Sequence, residues 1–90
     1  KATGRDKTTM IFSTENKPGS LFRALKVFAE RGLNLTKIES RPSRRILGEY
    51  VFLVEIEGHR LQEPLKSALI ELEHSTSLLK ILGSYPIFEF

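Results

Sequence analysis

The alternation of apolar and polar positions divides the chain into six elements. Thr8-Thr9-Met10-Ile11-Phe12-Ser13-Thr14 is rich in β-branched and aromatic residues and predicts a first strand. Glu15-Asn16-Lys17-Pro18-Gly19-Ser20 interrupts it with turn formers, and Pro18 suits the opening turn of a helix. Leu21, Leu25, Phe28 and Ala29 then recur at helical spacing, with Arg23, Lys26 and Glu30 opposite. Gly32 comes one step past this stripe, where a left-handed cap costs glycine least, and Leu33 is placed to cover Phe28. From about Asn34 the period changes to two, so a second strand starts directly and runs to Pro42, which cannot donate to a ladder. Ser43 to Gly48 form a hairpin connection. In a third strand, Glu49 to Glu57, residues Tyr50, Phe52, Val54 and Ile56 share one face; Val51, Leu53, Glu55 and Glu57 share the other. Gly58 and His59 turn the chain. Leu61, Leu65, Ala68, Leu69 and Leu72 make a second helical stripe with Pro64 in its first turn. Ser77 to Tyr85 predict the last strand, with Leu79 and Ile81 on one face and Leu78 and Leu82 on the other.

The order β-α-β-β-α-β predicts an α+β, ferredoxin-like fold: a four-stranded antiparallel sheet with both helices on one face. In that topology the first and third strands are central, and the second lies at an edge beside the third. Two helices cover one side of the sheet, so Val51, Leu53, Leu78 and Leu82 are left on the open side. Several apolar residues together there suggest a partner surface, and a second copy is the simplest partner. The second strand is polar at Asn34, Thr36, Lys37, Glu39, Ser40 and Arg41, as befits a solvated edge or one whose polar groups meet something. Residues 1–6 read as a linker or tail and residues 7–90 as one domain. The chain starts without methionine, which suggests a piece of something longer.

Composition removes several kinds of chemistry. There is no cysteine, so disulfides, thiolate metal sites and cysteine nucleophiles are excluded. The same fact makes the cytoplasm the natural compartment, and no apolar run reaches membrane-spanning length. The net charge of +3 permits an anionic partner, but the only tight basic cluster, Arg41, Arg44 and Arg45, falls at the hairpin tip. The sole aspartate is Asp6, in the predicted tail. The histidines fall in a turn and at a helix end, without a second ligand at metal spacing. No catalytic residue, metal or cofactor is expected.

A binding role fits better. Pro18-Gly19-Ser20 opens a helix, whose unpaired N–H groups attract a carboxylate or phosphate, and Gly19 lets a ligand approach the backbone. By their spacing alone, Gly19 reads as a turn, Asn34 as a strand-entry cap, Leu35 as core and Arg41 as a solvated charge.

Two stretches carry a resemblance that says more. Asn16-Lys17-Pro18-Gly19-Ser20-Leu21-Phe22 and Gly32-Leu33-Asn34-Leu35-Thr36-Lys37-Ile38-Glu39-Ser40-Arg41-Pro42 resemble the regulatory ACT domain of prephenate dehydratases over residues 7–86. The run from Ile38 to Pro42 marks phenylalanine-sensing members, and Leu79-Lys80-Ile81-Leu82-Gly83-Ser84-Tyr85-Pro86 resembles the carboxyl end of prephenate and arogenate dehydratases. Where the family usually has Gly-Ala-Leu, this chain has Gly19-Ser20-Leu21. The resemblance implies L-phenylalanine held at a homodimer interface, or in a dimer of dimers. Pro18, Gly19, Ser20 and Leu21 of one protomer and Asn34, Leu35 and Thr36 of the other would contact it. Glu39, Ser40, Arg41 and Pro42 would shape the interface. It also implies a parent chain whose catalytic part, a lyase absent here, converts prephenate to phenylpyruvate.

The alternatives are the ACT domain of an arogenate dehydratase or an aromatic amino acid hydroxylase and, from another class, an RNA-recognition-like module. The last would need Tyr50 and Phe52 to face bases. They share a face with Val54 and Ile56, so they should face the helices, and Glu55 and Glu57 on the open face would repel phosphate. Acylphosphatase-like catalysis would need an arginine in a phosphate-cradling loop, whereas Arg23 is one turn into the first helix. No nucleic-acid or membrane partner is expected.

Overall fold

A computed structural model describes residues 5–15, 17–44 and 47–87. Its elements follow the order β1 (Asp6–Glu15), α1 (Ser20–Ala29), β2 (Leu35–Pro42), β3 (Glu49–Glu57), α2 (Leu65–His74) and β4 (Leu78–Pro86). The strands form one antiparallel sheet in the order β2-β3-β1-β4, with β1 and β3 central as the connection pattern requires. β1 begins at Asp6, whose carbonyl accepts the Gly58 N–H at 2.7 Å, so the first strand extends two residues before Thr8. Asn16 and Arg45 lie outside the described residues, as do residues 1–4 of the expected tail.

The core lies between the sheet and the two helices. Met10 and Phe12 of β1 and Phe52, Val54 and Ile56 of β3 bury one sheet face against Ala24, Val27 and Phe28 of α1 and Leu65, Ala68, Leu69 and Leu72 of α2. The Phe12 and Phe52 rings meet with centroids 5.3 Å apart. Tyr50, expected in this set, is half-buried beside it.

Three local expectations are corrected. The buried stripe of α1 runs through Ser20, Ala24, Val27 and Phe28, whereas Ala29 is exposed and Leu21 and Leu25 only flank the core. The buried residues follow i, i+4, i+7, i+8 spacing from Ser20, so Leu21 and Leu25, each one position further round the helix, fall at the margin of the stripe. Pro18 sits in the turn before α1 rather than in its first helical turn, with Gly19 as the N-cap. Leu61 is exposed in the turn that precedes α2, and Pro64 is that helix's N-cap, so the apolar spacing from Leu61 to Leu65 was not helical.

The end of α1 is built locally. Gly32 adopts φ 68°, its N–H donates to the Ala29 carbonyl at 3.1 Å, and the Leu33 N–H donates to the Phe28 carbonyl at 3.0 Å. This is the paired bonding of a Schellman cap, which satisfies carbonyls the helix leaves open. Leu33 packs against the core cluster, as its position beside Phe28 requires. The chain therefore passes from α1 into the edge strand β2 within a few residues.

Candidate functional site

The residues singled out by sequence fall into two groups at opposite ends of α1. The first group begins the helix. Pro18 and Gly19 are exposed, and Gly19 holds φ 85°, a left-handed conformation that L side chains adopt only with strain. Its carbonyl accepts the Arg23 N–H at 2.9 Å, while the Ser20 N–H donates to the Lys17 carbonyl at 3.1 Å. Ser20 is buried, and Leu21 is half-buried against the core. The start of a helix presents N–H groups without intrahelical partners together with the positive end of the dipole. Here it borders a polar cavity of about 320 Å³ that includes Thr14, Lys17, Ser20, Arg23 and, from the end of α2, His74.

Two charged groups at this opening were not distinguished in the sequence. A Cβ at Gly19 would lie 3.1 Å from Arg23 Nη1, so the guanidinium rests directly over the glycine. Arg23 Nη2 also donates to Ser20 Oγ at 3.4 Å. The available signal was the four-residue spacing from Gly19 to Arg23, which puts both on one helical face. Glu15, at the cavity edge, pairs with Lys17 at 2.7 Å; the hydrogen bond from Lys17, followed by its charge, lowers the Glu15 carboxyl below its ordinary value.

The second group lies where β2 begins. Asn34 is exposed, and its carbonyl accepts the Glu57 N–H at 3.0 Å. Leu35 is half-buried, pairs with Ile56 and packs against the core. Thr36 is exposed and falls at a register shift: Leu35 pairs with Ile56 and Lys37 with Glu55, which leaves Thr36 as the extra residue of a bulge. Its hydroxyl donates to Glu55 Oε2 at 2.6 Å. Within this chain α1 separates the two groups: its ten residues span roughly 15 Å at the helical rise. One protomer does not bring Gly19 and Asn34 together.

Glu39, Ser40, Arg41 and Pro42 all lie exposed along the edge strand. Glu39 pairs with Leu53 and Arg41 with Val51, so these two sit on the open face; Ser40 and Pro42, opposite Phe52 and Tyr50, sit on the other. Ile11, Val51 and Leu53 floor a cavity of about 330 Å³ rimmed by Glu39, Arg41 and Pro42. Leu78 and Leu82 are exposed further along the same sheet face. Glu55 is a third residue whose part was not distinguished in the sequence. Hydrogen bonds from Thr36 and Tyr85, with Lys7 beside them, outweigh partial burial and bring its carboxyl from an ordinary 4.5 to about 2.

Among the described residues no group of three or more acidic or histidine side chains could hold a metal ion, and no helix is long and apolar enough to cross a membrane. His59, expected in the turn after β3, lies between β3 and α2 and is buried there, with its Nδ1 accepting the Leu61 N–H at 3.1 Å.

Residues 8–74 match the family model of the ACT domain. Over 86 residues, 96% of its length, the chain is 52% identical to the bifunctional chorismate mutase/prephenate dehydratase of Aquifex aeolicus, of which it covers 24%. It is 45% identical over 84 residues to the prephenate dehydratase of Methanocaldococcus jannaschii, covering 92% of this chain and 30% of that protein. The crystal structure of the prephenate dehydratase of Arthrobacter aurescens in complex with L-Phe superposes with a TM-score of 0.90 at 40% identity, covering 97% of this chain and 29% of that one. The chain thus spans between 24% and 30% of the length of these curated relatives.

Proposed function

Because this chain belongs to the ACT domain family, we propose that it is the L-phenylalanine-sensing regulatory domain of a prephenate dehydratase, binding its effector between two copies of the domain. The domain itself is regulatory; the lyase chemistry belongs to a catalytic part of the parent chain. Pro18 to Leu21 of one protomer contact the ligand, with the Gly19 and Leu21 backbone N–H groups donating to its carboxylate. Asn34, Leu35 and Thr36 of its partner close the site, with the Asn34 side-chain carbonyl accepting from the ammonium group. Glu39 to Pro42 run along the exposed edge and shape the contact between the copies. Binding would then exert feedback control on phenylalanine formation.

The observation that carries this reading is the separation of the two groups by the length of α1. A zwitterion with one aromatic ring cannot touch both within one protomer, so a site that uses both requires two. The likeness to a prephenate dehydratase bound to L-Phe supports the choice of ligand.

The test is coupling between ligand and assembly. If the site spans two chains, L-Phe favours the assembled state and assembly favours L-Phe by the same factor. Sedimentation velocity on dilute protein should show L-Phe, but not D-Phe or L-Asp, shifting monomer towards dimer. At a hundredfold excess over Kd the ligand should also stabilise the fold by about 2.7 kcal/mol. A monomer saturated with L-Phe would place the site within one chain, and no response at millimolar L-Phe would end the sensor reading.

A further inference from the structure

The side of the sheet away from the helices holds a chain of hydrogen bonds that runs from one edge strand to the other. Its centre is the Glu55 carboxylate on β3, which accepts from Thr36 Oγ1 on β2 at 2.6 Å, from Tyr85 OH on β4 at 2.8 Å and from Lys7 Nζ on β1 at 3.3 Å. A tyrosine hydroxyl carries one proton, and Tyr85 commits it to Glu55. Thr9 Oγ1, 3.1 Å away, must therefore be the donor to Tyr85. All four strands contribute, and every proton along the chain points towards Glu55.

The network lies beside the two places where the sheet's register slips. On β2 the slip leaves Thr36 unpaired opposite Glu55. On β4 it falls between Gly83, which pairs with Thr9, and Ile81, which pairs with Met10, so Leu82 is the extra residue. Glu55 and Thr9 are themselves partners across β3 and β1. Both edge strands thus bulge at the ends of the same cross-strand row. A bulge on an edge strand has ladder bonds on one side only, so its orientation depends on what its side chain holds. At Thr36 that is Glu55, and Glu55 is in turn braced from the far edge by Tyr85.

We infer that Glu55 is a positioning residue for the effector site: braced by Tyr85, it holds the Thr36 bulge and thereby the Asn34–Thr36 segment in the conformation that receives the ligand. The inference rests on the reading of Asn34–Thr36 as half of that site. Its physical content is a population. Without the brace the start of β2 samples other arrangements, and apparent affinity falls by the fraction of time the competent one is absent. The role requires a carboxylate. Three donors converge on Glu55, and a glutamine of the same shape would offer one acceptor oxygen and turn an NH₂ group towards donors.

The discriminating variant is Tyr85→Phe, because Tyr85 sits three strand spacings, roughly 14 Å, from Asn34. Titration calorimetry with L-Phe, well below the melting temperature, on wild type, Glu55→Gln, Tyr85→Phe and the double variant reads the coupling. Each single change should raise Kd about fivefold, and the double variant should lose little more than Glu55→Gln alone. Hydrogen exchange without ligand supplies the second readout: amides of residues 35–37 should exchange faster in both single variants. A purely structural role would lower the melting temperature and leave Kd in place. Unchanged Kd in Glu55→Gln and Tyr85→Phe, or effects that simply add in the double variant, would overturn the inference. If wild type takes up no L-Phe, the sensor reading has failed and the effector role of Glu55 falls with it; exchange at residues 35–37 then decides the brace alone, which unchanged rates overturn and faster rates support. Should Glu55→Gln not fold, Tyr85→Phe carries both measurements.

Discussion

Gly19 and Gly32 bound α1, and both hold positive φ, 85° and 68°. Around Gly32 the space a side chain would take is empty, and the neighbouring N–H groups close the helix onto its own carbonyls. Phe28, four residues before it, is completely buried. Around Gly19 the space is already occupied by the Arg23 guanidinium, the helix opens on a polar cavity, and Phe22, three residues on, is 67% exposed. The same backbone requirement closes the helix onto its own carbonyls at one end and sets its start beside a polar cavity at the other. What distinguishes the two glycines is therefore the pairing of the helix end beside each, not the room for a side chain.

The largest test of this contrast is mechanical. Phe28→Ala should destabilise the domain by about 3–5 kcal/mol in urea denaturation, because it empties a packed site. Phe22→Ala should stay within about 0.5 kcal/mol of wild type. Comparable losses in the two would mean that the start of α1 belongs to the core and is not an open ligand surface.

Next in size is Asn34→Ala, just beyond the closed end. Its side chain is exposed and adds nothing to the core, so stability should hold. L-Phe binding should weaken by about 1–3 kcal/mol, the cost of leaving a ligand polar group without its partner. Undiminished affinity in calorimetry would remove Asn34 from the site.

The glycines can then be set against each other. Gly19→Val and Gly32→Ala each force an L side chain into the left-handed region, at about 1–2 kcal/mol of stability. Gly32→Ala should bind L-Phe as wild type does, whereas Gly19→Val should not bind it, since its side chain meets Arg23 and blocks approach to the backbone. Equal affinities in the two variants would return Gly19 to a turn-forming role.

The smallest expected effect is with acid. Glu55 titrates near 2 in the folded protein against an ordinary 4.5, so its contribution to stability is present above 4.5 and is lost as pH falls towards 2. Its partners lie at the surface, so the contribution near neutral pH should be about 1 kcal/mol or less. In chemical denaturation the gap between wild type and Glu55→Gln should close over that interval. Glu15→Gln should leave the curve unchanged: the Glu15 pKa is also lowered, but that carboxylate and its Lys17 partner are open to solvent. A gap that stays constant down to pH 2 would show that Glu55 acts through shape rather than charge.

What the sequence determined by itself is what short-range physics controls. The Gly32-Leu33 cap closes within six residues, and the alternation from Tyr50 to Ile56 divides β3 between two faces; the strand order then follows from the connections. Such features depend on hydrogen bonds and side-chain direction within a turn or two of chain, so they are written where they act. The centre of the α1 stripe was less legible, because Leu21 and Leu25 are as apolar as a core position requires. Only contact with the sheet selected Ala24 and Val27 instead. The same holds for Leu61, whose helical spacing to Leu65 counts for nothing once the chain turns before Pro64. The register of β2 on β3, with its slip at Thr36, was decided by tertiary structure alone, as was the meeting of Lys7, Thr36 and Tyr85 at Glu55. Those partners stand 19 to 48 residues from Glu55, and no local pattern records which of them a carboxylate will find. The distance between Pro18–Leu21 and Asn34–Thr36 is instead local in origin: thirteen residues lie between Ser20 and Asn34, and a rigid helix occupies most of them and keeps the two groups apart.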